Sequence, residues 1–114
     1  MYVLDTDILS AMRFEPAIVR KNDVCTTAIN LWEIERGARR RPSAADLRSF
    51  ARFVRDNIPI LPFDEDAAVY YASLNRRLDP DAMIAAIAIT QKMTLITRNE
   101  TDFAAYEGLE VERW

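Results

Sequence analysis

Short apolar runs alternate with helical patterns along the whole chain, and no tight-hairpin signal joins any two of the runs. This order restricts the fold more than any other feature. Strands separated by helices pair in parallel through crossovers, and a parallel sheet must be covered on both faces. The runs that read as strands are Tyr2–Leu4, Asp23–Thr27, Ile60–Phe63, Thr94–Thr97 and Leu109–Trp114. Pro62 sends the third of these to a sheet edge, because proline cannot donate to an interior ladder; the last also reads as an edge. The spacing predicts helices over Ile8–Met12, Ala28–Arg40, Ser43–Asn57, Asp64–Leu78, a stretch opening at Asp79-Pro80 and running to Ile89, and Asp102–Tyr106. Ser43, Asp64 and Asp79 are of cap-forming type, Pro80 suits a first helical position, and Pro42 and Pro59 are stops. Leu47, Phe50, Ala51 and Val54 form one apolar stripe, whereas Ala82–Ile89 is apolar all round and must be buried all round. Residues 13–23, with Pro16, read as a connection. The expectation is one α/β domain over residues 1–114, with a mainly parallel central sheet of four to five strands flanked by helices.

A chain of 114 residues supports one core and not two. What it lacks narrows its chemistry. It has no histidine, which removes every histidine base, histidine-assisted nucleophile and histidine-bound zinc. Its lone cysteine, Cys25, forms no internal disulfide and reads as a small core residue, in keeping with a reducing, cytoplasmic setting. Its two glycines, Gly37 and Gly108, make no phosphate-cradling loop. No apolar run is long enough to span a bilayer, and the start, Met1-Tyr2-Val3-Leu4-Asp5, reads as a strand rather than a signal peptide, so no membrane partner is expected. Chemistry is left to carboxylates, hydroxyls, arginines and oxygen-bound metals. Net charge is −3, yet residues 36–55 hold seven arginines against one acid, Asp46, so an acidic total conceals a basic face.

Ligands of open parallel sheets collect at the carboxyl ends of strands. Asp5 follows the first strand, Asn99 and Asp102 follow the fourth, and Asp81 lies in the first turn of the buried helix. Acids gathered on one edge repel one another unless a cation intervenes, and a hard ion such as Mg²⁺ or Mn²⁺ suits oxygen ligands. Taken singly, each acid has an ordinary reading. Asp5, Asp7 and Asp102 suit helix caps, Asp81 complements a helix dipole, and Glu35 is spaced to pair with Arg39. On the helix after the second strand, Asn30, Glu33 and Gly37 share a stripe; a glycine there costs about 1 kcal/mol relative to alanine and implies a packing or access role beside Glu33.

Five segments together resemble the VapC-type PIN-domain ribonucleases, toxins of toxin–antitoxin systems: Leu4-Asp5-Thr6-Asp7-Ile8-Leu9-Ser10; Thr27-Ala28-Ile29-Asn30-Leu31-Trp32-Glu33-Ile34-Glu35-Arg36-Gly37; Asp81-Ala82-Met83-Ile84-Ala85-Ala86; Thr94-Leu95-Ile96-Thr97-Arg98-Asn99-Glu100-Thr101-Asp102-Phe103; and the ending Gly108–Trp114. The glutamate four residues before the glycine selects Glu33. Asp7 stands where the family usually has asparagine, and Asn99 where many members have an acid. The segments before Val24 and Asp81 are shorter than usual.

The resemblance implies metal-dependent endonucleolytic cleavage of RNA. Asp5, Glu33 and Asp81 match the core acids, with Asp102 the expected fourth; Asp5, Asp81 and Asp102 are the expected ligands of Mg²⁺ or Mn²⁺. Thr6, Asp7 and Asn99 support them, and Arg36, Arg39 and Arg40 are candidates for RNA phosphate contacts. A small antitoxin that inserts a basic residue, a homodimer and possible higher toxin–antitoxin assemblies are the implied partners. Two rivals stand beside this reading. A phosphatase of the haloacid dehalogenase type shares an Asp-x-Asp such as Asp5-Thr6-Asp7, but needs a lysine, and Lys21 and Lys92 are poorly placed. An inactive binding module keeping the PIN fold is the other.

Overall fold

The structure, a computed structural model, describes residues 1–13, 23–41 and 45–114. Within them the strands are β1 (Tyr2–Leu4), β2 (Val24–Thr27), β3 (Ile60–Leu61), β4 (Thr94–Ile96) and β5 (Val111–Glu112). The helices are α1 (Thr6–Met12), α2 (Ala28–Arg40), α3 (Ala45–Asn57), α4 (Glu65–Ser73), α5 (Pro80–Thr90) and α6 (Glu100–Phe103). The strands form one sheet in the order β3-β2-β1-β4-β5, and every pairing is parallel. Pro62 follows an edge strand, as its missing N–H requires.

The register divides the core. Val3 lies beside Cys25 and Leu95, and Leu4 beside Ile96. Side chains alternate across a sheet. Leu4 and Ile96 therefore meet Ile8, Leu9, Ile34, Phe50 and Val54 on one face, while Val3, Cys25 and Leu95 meet Ala82, Ile84, Ala85 and Phe103 on the other. Helix α5 also packs Ala86 and Ile87 against Ala67 of α4, which accounts for its lack of a polar side. Cys25 is buried in this second core, and its burial pushes the thiol pKa up, as fits a core residue. Among the described residues no helix is long and apolar enough to cross a membrane.

Two boundaries and one ion pair differ from expectation. Helix α4 stops at Ser73 instead of Leu78, because Asn75 takes a left-handed conformation (φ 50°) and turns the chain. The Tyr71 hydroxyl then ties the loop, accepting from the Asp79 N–H and donating to the Arg77 carbonyl. Helix α6 begins at Glu100, so Asp102 lies inside it and does not cap it. The Glu35–Arg39 pair does not form; the ion pairs among the described residues are Arg76–Asp79 and Arg113–Glu100. The expected Ser43 cap, and most of the connection over 13–23, lie outside the described residues.

Ile84 is fully buried and Leu78 is 87% exposed. Ile84→Ala is expected to cost about 2–5 kcal/mol in urea unfolding, and Leu78→Ser to stay within about 0.5 kcal/mol of the unsubstituted chain. A small loss at Ile84 would show that α5 is not the keystone of its face.

Candidate active site

The strand order reverses at β1, between β2 and β4, which is where a doubly wound sheet opens a crevice at its carboxyl edge. Asp5 sits there. Its backbone N–H donates to the Ile96 carbonyl of the neighbouring strand, and its side chain caps α1 by accepting from the Thr6 N–H at 2.9 Å. The carboxylate expected from the sequence to serve the site thus also caps α1. Asp5 is only 8% exposed. Its Oδ1 also accepts from Asn30 Nδ2 at 2.9 Å, and its Oδ2 from Thr97 Oγ1 at 2.9 Å.

Asn30 is the hub behind it. Thr27 Oγ1 caps α2 by accepting from the Asn30 N–H, and donates to Asn30 Oδ1 at 2.7 Å. That fixes which end of the amide faces Asp5. The two Nδ2 hydrogens then serve Asp5 Oδ1 and, at 3.0 Å, Thr6 Oγ1. With its lone pair engaged, Thr6 Oγ1 donates onward to Glu33 Oε1 at 3.0 Å. A single polar chain runs from the cap of α2 to two acids, and Thr6, Thr27 and Asn30 fix its direction.

Asp5, Glu33 and Asp81 share one electrostatic neighbourhood. Burial is the largest cause that raises each carboxyl above its ordinary pKa. The Asp5 charge further raises both Glu33 and Asp81, and Asp102 raises Asp81. Hydrogen bonds from Thr6, Thr97 and Asn30 hold Asp5 down against that trend, as Thr6 does Glu33. Asp79 caps α5, accepting the Asp81 N–H, and so leaves the Asp81 carboxylate free of that duty. Asp102 is exposed and accepts a hydrogen bond from Asn99 Nδ2, so Asn99 orients Asp102. Asp7 accepts the Arg98 N–H through Oδ2, and its Oδ1 is buried without a hydrogen-bond partner.

The acids are oxygen donors of the type Mg²⁺ and Mn²⁺ prefer, their charges repel, and Asp7 Oδ1 is an unsatisfied acceptor beside them. These features fit a hard divalent ion. Among the described residues, however, no three acids are grouped tightly enough to enclose an ion unaided. Mg²⁺ commonly keeps several waters and binds through one or two carboxylates, so a closed cage of three acids is not required for it.

Beside the acids, Glu33, Arg36, Gly37 and Arg40 line a shallow pocket of about 190 Å³. Arg36 also lies over the Trp32 ring, 5.2 Å from its centroid. Arg39 is exposed but does not line this pocket. A Cβ placed on Gly37 would meet nothing within 4 Å, so the tight packing that would demand glycine there is absent. Asn30 and Thr97 were not among the site residues anticipated from sequence. Asn30 shares a helical stripe with Glu33, and that stripe was its one legible signal; Thr97 gave none beyond standing at a strand end. Lys92 lies just before β4, at the opposite end of the sheet, so the lysine of a dehalogenase-type phosphatase is not supplied from there.

The raised carboxyl pKa values make the folded chain bind protons more tightly than the unfolded one. Their contribution to stability is full below the ordinary values, 3.8 for aspartate and 4.5 for glutamate, and is lost as pH rises toward the raised folded values. In chelator, Glu33→Gln should therefore flatten the fall in thermal stability as pH rises above 4.5, the ordinary glutamate value. Thermal melts followed by circular dichroism read this; parallel slopes for the two chains would show that Glu33 carries no burial penalty.

The arrangement has counterparts. The PIN domain family model matches residues 2–109. Ribonuclease VapC2 of Rickettsia felis is 24% identical over 131 residues, covering the whole of this chain and 98% of that protein. In a solved structure of VapBC2 from Rickettsia felis bound to a DNA fragment from their promoter, one chain superposes with a TM-score of 0.82 at 22% identity, covering 99% of this chain and 98% of that one. A chain of DNA-bound VapBC from Salmonella typhimurium superposes with a TM-score of 0.84 at 20% identity, covering 99% and 97%. These identities carry the fold alone. The family match spans nearly the whole chain and takes in Asp5, Glu33, Asp81 and Asp102, and on it the chain belongs to the PIN domain family.

Proposed function

We propose that this chain is a metal-dependent endoribonuclease and the toxin member of a toxin–antitoxin pair. The observation that carries the reading is the hydrogen-bonded network at the sheet's switch point that joins Asp5 to Glu33 through Asn30 and Thr6, with Asp81 in electrostatic reach of Asp5. The relative named as a ribonuclease and the VapBC assemblies with the same fold support it.

Asp5 and Asp81 would hold Mg²⁺ or Mn²⁺, with Asp102, oriented by Asn99, as the further carboxylate. When bound, the ion supplies charge neutralisation among the acids and Lewis-acid polarisation of the phosphodiester. Glu33 Oε1, fixed by the Thr6 hydroxyl, is the base that takes a proton from attacking water; its raised pKa brings it nearer the working range. Thr97 and Asn30 hold Asp5 in one rotamer, so the site needs little reorganisation. Arg36 and Arg40 beside Glu33 provide the attraction for RNA phosphates that an acidic edge cannot, with Arg39 further from the site.

An antitoxin arginine placed on the same carboxylates would occupy the ion's position and block the site. A homodimer, or a larger assembly with antitoxin, and a cytoplasmic setting complete the reading. One observation favours the alternative of an inactive PIN-fold binding module: the lack, among the described residues, of three acids grouped to enclose an ion.

RNA cleavage with and without chelator separates the two. The folded chain should cut RNA only with Mg²⁺ or Mn²⁺, and Glu33→Gln should lower kcat by roughly 10²–10⁴-fold. Asp5→Asn and Asp81→Asn should abolish metal-supported cutting, and Asp102→Asn should raise the Mg²⁺ required more than Asp7→Asn does. Cleavage that persists in chelator would overturn the mechanism, and none in any metal would leave the module. Separately, Arg36→Gln and Arg40→Gln should each lower the slope of log affinity against log salt by about 0.7–0.9 for RNA, whereas Arg39→Gln should change it less. An unchanged slope for Arg36 and Arg40 would make them a solvated face.

A further inference from the structure

Next to the acids, Ile29 and Trp32 of α2, Pro80 and Met83 of α5, and Leu78 of the loop before α5 line an apolar groove of about 310 Å³, with Asp79 at its rim. Trp32 is 46% exposed and Leu78 is 87% exposed. Neither exposure is explained by the core, since both side chains lie over the groove rather than under the sheet. We propose that this groove seats one unpaired nucleobase of the RNA substrate, stacked on Trp32, and so sets which nucleotide lies beside the cleaved bond. The inference rests on the nuclease reading above and deepens it.

The groove's surroundings select this occupant. Along α2, Arg36 is one turn beyond Trp32, and Glu33 adjoins Trp32 in sequence. Along α5, Asp81 directly follows Pro80. The apolar surface is therefore bounded on one side by acids suited to a scissile phosphate and on another by Arg36 and Arg40, suited to the next phosphate. Along a single strand each nucleoside lies between two phosphates, so its base can fill the groove while those phosphates meet the acids' side and the arginines. The Arg36 guanidinium lies 5.2 Å from the indole centroid, which sets a cation beside the ring on which a base would stack. Asp79 does not spoil the groove for RNA, because its carboxylate is engaged by Arg76 and by the Asp81 N–H. The groove by itself is far smaller than the roughly 800 Å² per partner that a stable protein interface buries, so a protein occupant would have to reach well beyond it. A paired base in an A-form helix is not presented for stacking, so the base must come from a loop, bulge or single strand.

The test uses the full chain in chelator, where RNA is bound and not cut. Affinity for a short single-stranded oligoribonucleotide is measured by fluorescence anisotropy, for the intact strand and for a set carrying one abasic position each. Trp32→Ala is expected to weaken binding of the intact strand roughly tenfold, and Trp32→Phe by less. One abasic position should cost the unsubstituted chain about the same factor and cost Trp32→Ala nothing further. Leu78→Ser, on an exposed loop, should show the same non-additivity, and it decides the matter should Trp32→Ala fail to fold. Losses that simply multiply would overturn the proposal. So would unchanged RNA affinity accompanied by loss of self-association in size-exclusion chromatography, which would make the groove a protein interface. A chain that cuts RNA with Mg²⁺ while its Trp32 variants bind intact and abasic strands alike would sink this inference and leave the nuclease standing. A chain that neither binds nor cuts RNA would remove both.

Discussion

The structure depends on keeping one carboxylate, that of Asp5, nearly buried and ionisable at the point where the sheet reverses. Burying a lone carboxylate is costly unless hydrogen bonds replace its water. Here the replacements come from three separate elements: the first turn of α1 through Thr6 N, helix α2 through Asn30, and the end of β4 through Thr97. Those three elements can meet only if β1 lies between β2 and β4, which is the strand order observed. The polar constellation and the topology therefore require each other. A slip of β4 by one residue would carry Thr97 away from Asp5 and turn Leu95 toward the wrong core.

This arrangement stops short of full compensation, and that shortfall is informative. Had the donors matched the acids completely, the carboxyls would sit below their ordinary pKa values; instead burial wins at Asp5, Glu33 and Asp81. Asp7 Oδ1 is buried and unpartnered beside them. A fold selected for stability alone would replace these acids with neutral or apolar groups. Their presence is a cost that the proposed binding of a cation among them would offset.

Much of this was legible in the sequence, for identifiable reasons. Crossover helices dictated the parallel sheet, Pro62 an edge, and the all-apolar Ala82–Ile89 a helix covered on every side. Asp5, Asp81 and Asp102 stood out because each lies just after a strand or in a helix's first turn, whereas Glu33, inside α2, was marked only by the glycine four residues on. What sequence hid was of two kinds. The end of α4 hung on a single left-handed residue, Asn75, whose neighbours Leu74 and Leu78 still carry a helical pattern. Asn30 and Thr97 were hidden because neutral polar residues near strand and helix ends usually cap; only the folded distances show that Asn30 spends its amide on Asp5.

Helix α2 shows how one element can encode several tasks without conflict. At about 100° per residue, Asn30, Glu33 and Gly37 fall on one stripe, while Trp32 and Arg36 fall on a neighbouring one. The first stripe points at the sheet's carboxyl edge: Asn30 is buried under Asp5, Glu33 is half-buried beside it, and Gly37 leaves the mouth open. The second lies a third of a turn away, with Trp32 in the groove closed by Leu78 and Met83 and Arg36 in the pocket beside Glu33. Ile34 and Ala38 take the buried side against α3 and the sheet. Gly37 weakens the helix by about 1 kcal/mol relative to alanine, and Trp32 leaves apolar surface in water. Both costs fall on the side of α2 that flanks the acids, and neither falls on the side that holds the core.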